Sequence, residues 1–424
     1  MNKKTLAIHA GYDKDKHGTM AVPIYQTTAY DFGSAETAAN RFALAELGPI
    51  YTRLNNPTTD ILEARITALE EGDGAVAVAS GQAASFYSVA NLARSGENIL
   101  VAEKIYGGSI TLLTHTIKQF GIEARVFDSD NADDLESLID DKTKAIYFET
   151  LSNPQIAIPN IEKIVQIAKK YNIVTIADNT VATPILLNPL KLGVDVVVHS
   201  ASKYISGNGT AIGGLIVERK DLSAFLKDNP RYPQFNEPDE SYHGLIYASL
   251  PFPIYTLRIR LAFIRDIGAT ISPFNSWLLI QGLETLSLRI KEHSLSALKI
   301  AKFLKSHPKV KSVSYPGLEG DKGYEKAQKY LKDGLSSGLL SFDVGSFEKA
   351  KQILNSTKIF SVVVNIGDSK SIITHSASTT HQQVSKEDLD KSFVTEGLVR
   401  LSIGLEDADD LIADLKQALD KEQI

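Results

Sequence analysis

Not one cysteine occurs in the 424 residues, which excludes disulfides, a thiolate metal site and a cysteine nucleophile. No apolar run approaches the roughly 18 residues that span a bilayer. The start, Met1-Asn-Lys-Lys-Thr5, has two lysines but no apolar segment behind them, unlike a secretory signal. Charge of one sign is also scarce: 45 basic against 51 acidic residues leave a net charge of −6. That gives no electrostatic footprint for nucleic acid or an anionic membrane. Several binding signatures are missing. There is no G-x-G-x-x-G opening a helix, since Gly207-x-Gly209 leads into a strand, and no H-E-x-x-H or G-x-x-x-x-G-K-[ST]. His375 and His381 stand six apart in a loop-like stretch, a poor spacing for a helical metal pair, so no metal is expected. Internal repeats and low-complexity segments are absent. A cytoplasmic enzyme without membrane or nucleic-acid partners is the expectation that survives.

What is present begins with length, which favours two domains and an extra arm. Residues 1–60 have little apolar periodicity. An arm without its own core is expected to pack on a neighbouring subunit, so a homo-oligomer is predicted. From about residue 61 strands and helices alternate: Ala75–Ala79, Asn98–Ala102, Ile122–Phe127, Ala145–Phe148, Ile173–Ala177, Val194–Val198 and Gly214–Val217 read as strands. Continuous apolar strands separated by helices argue an α/β fold with a mostly parallel sheet covered on both faces. After Arg231-Tyr-Pro-Gln-Phe-Asn-Glu-Pro238 the pattern shifts to long amphipathic helices, Tyr255–Ile267, Phe274–Leu286 and a further one to about Leu304. Short strands at Val310–Ser314, Leu339–Asp343 and Leu398–Ser402 follow, giving a smaller α+β domain. The division is thus 1–60, 61–255 and 256–424.

In parallel sheets ligands gather at the carboxyl ends of strands, and polar residues cluster there. Lys203 follows a buried strand between Ser200 and Ser202; a desolvated amine beside small hydroxyls suits attack on a carbonyl near a phosphate. A lone turn lysine is otherwise a solvated one. Ser80-Gly81-Gln82 opens a helix, whose free N–H groups suit a phosphate, though small residues also cap helices generally. Asp178 ends an apolar strand and requires a cation or a cap; a pyridinium nitrogen is one such cation. Tyr106, followed by two glycines, offers a flat face for stacking, or is a core tyrosine. Arg400 in an alternating strand suits a carboxylate, or an ion pair. Phosphate donors, an acid, a stacking ring and an electrophile-capturing lysine together fit pyridoxal 5′-phosphate better than any other cofactor.

The segments Tyr51-Thr-Arg-Leu-Asn-Asn-Pro-Thr58, Ser80-Gly-Gln-Ala-Ala84, Tyr106-Gly-Gly108, Ala177-Asp-Asn-Thr180, His199-Ser-Ala-Ser-Lys-Tyr204 and Arg400-Leu-Ser-Ile-Gly-Leu-Glu406 occur in that order. In this the chain resembles the Cys/Met-metabolism family of pyridoxal-phosphate enzymes, of the aspartate-aminotransferase fold (fold type I), from about His9 to Glu406. The resemblance implies that Lys203 is the Schiff-base lysine, that Asp178 faces the ring nitrogen, that Tyr106 stacks on the ring and that Asn153 lies near its phenolic oxygen. It assigns Gly81, Gln82, Ser200 and Ser202 to the phosphate, with Tyr51 and Arg53 reaching the neighbouring subunit's cofactor in a dimer or tetramer. Arg400 would grip the amino-acid carboxylate, with Asn365 and Asn153 beside it, and Tyr51 or Tyr106 would assist proton transfer. Val364-Asn-Ile-Gly-Asp-Ser-Lys-Ser371 and Thr374-His-Ser-Ala-Ser-Thr-Thr-His381 are similar to the branch that joins a sulfur donor to O-acetylhomoserine. The donor is sulfide, methanethiol or a sulfur-carrier protein; a γ- or β-lyase acting on cystathionine or methionine, and the γ-synthase that forms cystathionine, are the alternatives within the family. Gly108 stands where methionine γ-lyases have cysteine, Ser376 where many members have proline, and the segment Lys391–Leu398 looks shorter than usual.

Overall fold

The computed structural model describes residues 1–379 and 395–421. Its larger sheet is built from β1 (Gly74–Val78), β2 (Asn98–Ala102), β3 (Glu123–Phe127), β4 (Thr143–Glu149), β5 (Val174–Asp178), β6 (Val196–Ser200) and β7 (Gly214–Glu218). The strands lie in the order β1-β7-β6-β5-β4-β2-β3. Neighbours from β3 to β6 pair in parallel. Crossover helices such as Ile161–Lys170 explain this. Asn160 caps that helix, two lysines close its last turn, and Ile161, Ile164, Val165, Ile167 and Ala168 are buried. Valine and isoleucine runs fill both faces of the central strands, and β4 is buried along its whole length. The fold is α/β with a mostly parallel sheet, as expected.

One strand departs from the parallel expectation. β7 is antiparallel to both β1 and β6. The chain from Ala201 to Gly213 contains no helix to carry it back across a face. A parallel pair needs such a crossover, so adjacent strands joined without one run antiparallel.

The smaller sheet holds β8 (Ser312–Ser314), β9 (Leu339–Asp343), β10 (Ser361–Val362), β11 (Ile372–His375) and β12 (Leu398–Ser402), in the order β10-β11-β12-β9-β8. The stretch around His375, expected as a loop, thus contains a buried strand. His375 bonds Ser378 and the carbonyl of Glu396. His381 and residues 391–394 lie outside the described residues. A second apolar core, including Leu340, Phe342, Ile373, Leu401 and Leu415, backs this sheet.

The two helices expected between Phe274 and Leu304 are one, Pro273–Ser306, capped by Ser272. Gly282 lies inside it and does not break it. A Cβ there would sit 2.0 Å from the carbonyl oxygen of Ile205, so the glycine permits the close approach of helix and chain just beyond Lys203. The arm also has more order than its sequence suggests. Lys3–His9 is a helix with Ala7 buried, and Arg65 bonds the carbonyl of Ala10 at 3.0 Å. Among the described residues no helix is long and apolar enough to cross a membrane.

Substituting Gly282→Ala forces backbone to move at Ile205 and is expected to destabilise the fold by about 1–3 kcal/mol, the usual cost of overpacking. Denaturant unfolding measures this; an unchanged midpoint would show that the helix can shift freely.

Candidate functional site

Because β2, β4, β5 and β6 run the same way, their carboxyl ends share one edge. Glu149 is in register with Asp178, and Asp178 with Val198. Next to them, β1 and β7 meet so closely that a Cβ on Gly214 would lie 2.0 Å from the carbonyl oxygen of Ser80. That brings the helix Gly81–Ala90, capped by the Ser80 hydroxyl, beside Ser200. The smaller sheet closes the far side. Together they bound a cavity of about 200 Å³.

Of the residues singled out in the sequence, Gly81, Gln82, Tyr106, Asn153, Asp178, Ser200, Ser202, Lys203, Asn365 and Arg400 all line this cavity. Tyr51 and Arg53 do not. They lie on the arm, where the Arg53 guanidinium is 5.5 Å from the centre of the Tyr51 ring and donates to the carbonyl of Arg265.

Lys203 sits in a turn after β6, its N–H donating to Ser200 O at 3.2 Å. Its amine is not solvated in the manner of an ordinary turn lysine. It donates to Asn365 Oδ1 at 2.6 Å. Burial, and then the positive charge of Arg400, lower its pKa. Arg400, 2% exposed, donates to Asn153 Oδ1 at 3.0 Å and to the carbonyl of Asn365 at 2.9 Å. Burial brings its pKa down to about 10, which leaves it a cation at neutral pH. Its Nε is buried without a partner among the described residues, so the guanidinium keeps donor capacity for a ligand.

Asp178 accepts from the N–H of Thr180 at 2.9 Å, and the Tyr147 hydroxyl lies 3.4 Å from its other oxygen. Burial pushes its carboxyl up against those hydrogen bonds. Glu149 is pushed well above the carboxylate range by burial and then by the charge of Asp178. Two acids in one dry site resist joint ionisation. A cation bound at Asp178 would relieve both. A pyridinium nitrogen supplies one, so the donor set fits pyridoxal phosphate: a buried acid, an amine, a half-exposed ring at Tyr106 and a capped helix start.

Thr180, Ser85 and Glu149 are among the lining residues to which the sequence assigned no role. Thr180 joins Asp178 to Ser200, whose N–H donates to Thr180 Oγ1 at 2.8 Å; an Asp-x-Thr at a strand end was the available signal. Ser85 meets the Tyr147 hydroxyl at 2.9 Å. Glu149 stood in plain view at the end of an apolar run, but its partners are backbone groups, the N–H of Tyr106 after β2 and that of Asn153 four residues on.

The model of the Cys/Met metabolism PLP-dependent enzymes matches residues 4–420. The O-acetyl-L-homoserine sulfhydrylase of Leptospira meyeri is 44% identical over 98% of this chain and 96% of its own. The homocysteine/cysteine synthase of Kluyveromyces lactis is 43% identical over 97% and 96%. A Campylobacter jejuni crystal structure, assigned as an O-acetylhomoserine (thiol)-lyase, is 55% identical with a TM-score of 0.98, covering 99% of this chain and 100% of that one. It contains N′-pyridoxyl-lysine-5′-monophosphate.

The raised carboxyls have a consequence for stability. The folded chain holds protons that the unfolded chain releases, so stability falls as pH rises from the ordinary carboxylate pKa through the raised ones. Without a bound cation, Asp178→Asn is therefore expected to be more stable than the parent at pH 7. The difference should shrink towards pH 4. Thermal unfolding across that range checks it, and a less stable variant at pH 7 would contradict it.

Proposed function

Because this chain belongs to the Cys/Met metabolism family of pyridoxal-phosphate-dependent enzymes, we propose that it replaces the acetate of O-acetyl-L-homoserine with a sulfur nucleophile. The product is L-homocysteine from sulfide, or L-methionine from methanethiol. The convergence of Lys203, Asp178 and Arg400 on one cavity carries the reading, and relatives named as sulfhydrylase and homocysteine/cysteine synthase support the choice within the family.

Pyridoxal phosphate, when bound, supplies an electron sink for a carbanion at the substrate Cα. The chain's residues do the rest. Lys203 is the covalent anchor and, once displaced, the base that takes the Cα proton. Its lowered pKa keeps more of the amine unprotonated at neutral pH. Asn365 holds that amine by its side chain and Arg400 by its carbonyl, so proton carrier and carboxylate grip share one support. Arg400 takes the substrate carboxylate with the donors left free by Asn153. With the cofactor in place, Asp178 would keep the ring nitrogen protonated, Tyr106 would cover the ring, and Asn153 would be beside its phenolic oxygen. Loss of a Cβ proton lets the Cγ–O bond break with its electron pair leaving on acetate, and protons return to Cβ and Cα as sulfur adds. An S–Cγ bond forms as the thiol or hydrogen sulfide gives up its proton, and Tyr51 or Tyr106 assists that transfer.

Gly81, Gln82, Ser200 and Ser202 would hold the phosphate by N–H and hydroxyl groups. The cavity's cations, Lys203 and Arg400, are both occupied elsewhere, so a dianion calls for a further one. We assign it to Arg53, with Tyr51, of a neighbouring subunit. Exposed apolar residues on the arm, among them Met20, Phe42, Leu47 and Tyr51, suit that contact, and a dimer of dimers follows. In this reading residues 1–60 form the arm, 61–255 the cofactor-binding domain and 256–424 the closing domain. A cytoplasmic setting, and a sulfur-carrier protein as an alternative donor, belong to the same proposal.

Purified protein should show the absorbance of a lysine-bound cofactor at roughly 420 nm. Lys203→Ala should lose that band and more than about 10³-fold in turnover of O-acetylhomoserine with sulfide. Faster turnover of cystathionine or methionine alone would make the chain a lyase. A colourless protein that cannot be reconstituted would end the cofactor assignment.

A further inference from the structure

Glu149, at the end of β4, lines the cavity and has no part in the steps above. Only 6% of it is exposed. Its two carboxylate oxygens serve two different loops. Oε1 accepts the N–H of Tyr106 at 2.7 Å, and Oε2 accepts the N–H of Asn153 at 3.2 Å. Tyr106 begins the helix Gly107–Thr114 without a side-chain cap, so this carboxylate ties down the residue that carries the exposed ring. On the other side Asn153 passes the constraint to Arg400 Nη1 at 3.0 Å.

A buried carboxylate next to another acid is a costly choice for filling space. Leucine or methionine would pack as well without the penalty. What leucine cannot do is accept two backbone N–H groups at once. We propose that Glu149 is a positioning residue that sets Tyr106 and, through Asn153, Arg400, so that the ring's cover and the carboxylate grip are placed by one side chain. The inference rests on the pyridoxal-phosphate reading above.

Glu149 also shares the register of Asp178 across parallel strands. A cation held by Asp178 therefore lowers the cost of ionising Glu149, and an ionised Glu149 in turn raises affinity for that cation. Cofactor retention and substrate grip are both expected to respond to the one side chain.

Glu149→Gln tests this. The amide keeps one acceptor and turns its NH₂ towards the other N–H, so one of the two ties is lost. Cofactor affinity of the reconstituted protein should fall at least about tenfold, and KM for the amino-acid substrate should rise about 3- to 30-fold. The circular dichroism of the cofactor band should change as Tyr106 shifts. The KM effect should vanish in an Arg400→Lys background, because it acts through Arg400. Affinity and KM within twofold of the parent, with or without a lower melting temperature, would overturn the proposal. If the variant does not fold, hydrogen exchange on the parent holoenzyme decides. Slow exchange at the Tyr106 and Asn153 amides supports the tie, and exchange at free-loop rates overturns it. A coloured parent with an indifferent variant sinks this inference alone, whereas a colourless parent sinks the proposed function and this inference with it.

Discussion

Parallel alignment of β4, β5 and β6 is the constraint on which the site depends. Three strands running the same way must deliver their last residues to the same edge, and those residues are Glu149, Asp178 and Ser200. The apolar runs before them bury the sheet on both faces, so the polar ends arrive in a place with little water. Burial displaces four groups there from their ordinary behaviour: Glu149 and Asp178 upward, Lys203 and Arg400 downward. The same desolvation that disfavours these charges makes each one act strongly on the next.

The second sheet completes what the first begins. Arg400 on β12 is opposite Thr374 on β11 and Ser341 on β9, so its backbone is held on both sides while its side chain crosses to Asn153. Asn365 does the reverse, reaching from the loop between β10 and β11 to the amine of Lys203. Two hydrogen bonds in opposite directions thus bridge the sheets through the cavity. A change in how the two sheets meet would disturb the Lys203 and Arg400 side chains together. Gly282, tight against Ile205, anchors the long helix at the same junction.

Much of this was legible in the sequence, because hydrophobic patterning and chain polarity carry it. An apolar run of β-branched residues that stops at Asp178 or Ser200 declares a buried strand and a functional end together. The limits of β2, β9 and β12 are those the pattern indicates. The antiparallel β7 was less legible, since an apolar strand looks alike in either direction and only the missing crossover distinguishes them. The unbroken helix Pro273–Ser306 was hidden by a glycine that serves packing. Glu149 is the instructive omission. Side-chain partners leave residue types to read, but its partners are the N–H groups of Tyr106 and Asn153, which every residue but proline possesses.

Lys203 shows how the parts depend on one another. Alone after a strand, it is most simply a solvated lysine. Its lowered pKa comes from burial by two sheets and then from the Arg400 charge, neither of which lies in its own segment. The cavity it shares holds two acids and two bases, Glu149, Asp178, Lys203 and Arg400, and burial disfavours the charged form of each. Each charge brought in by a ligand then has a counterpart already in place: a ring cation for Asp178, a substrate carboxylate for Arg400. The phosphate is the exception. Its charge exceeds what hydroxyls and a helix start provide, which is the physical reason that the proposed site extends to Arg53 of a second subunit.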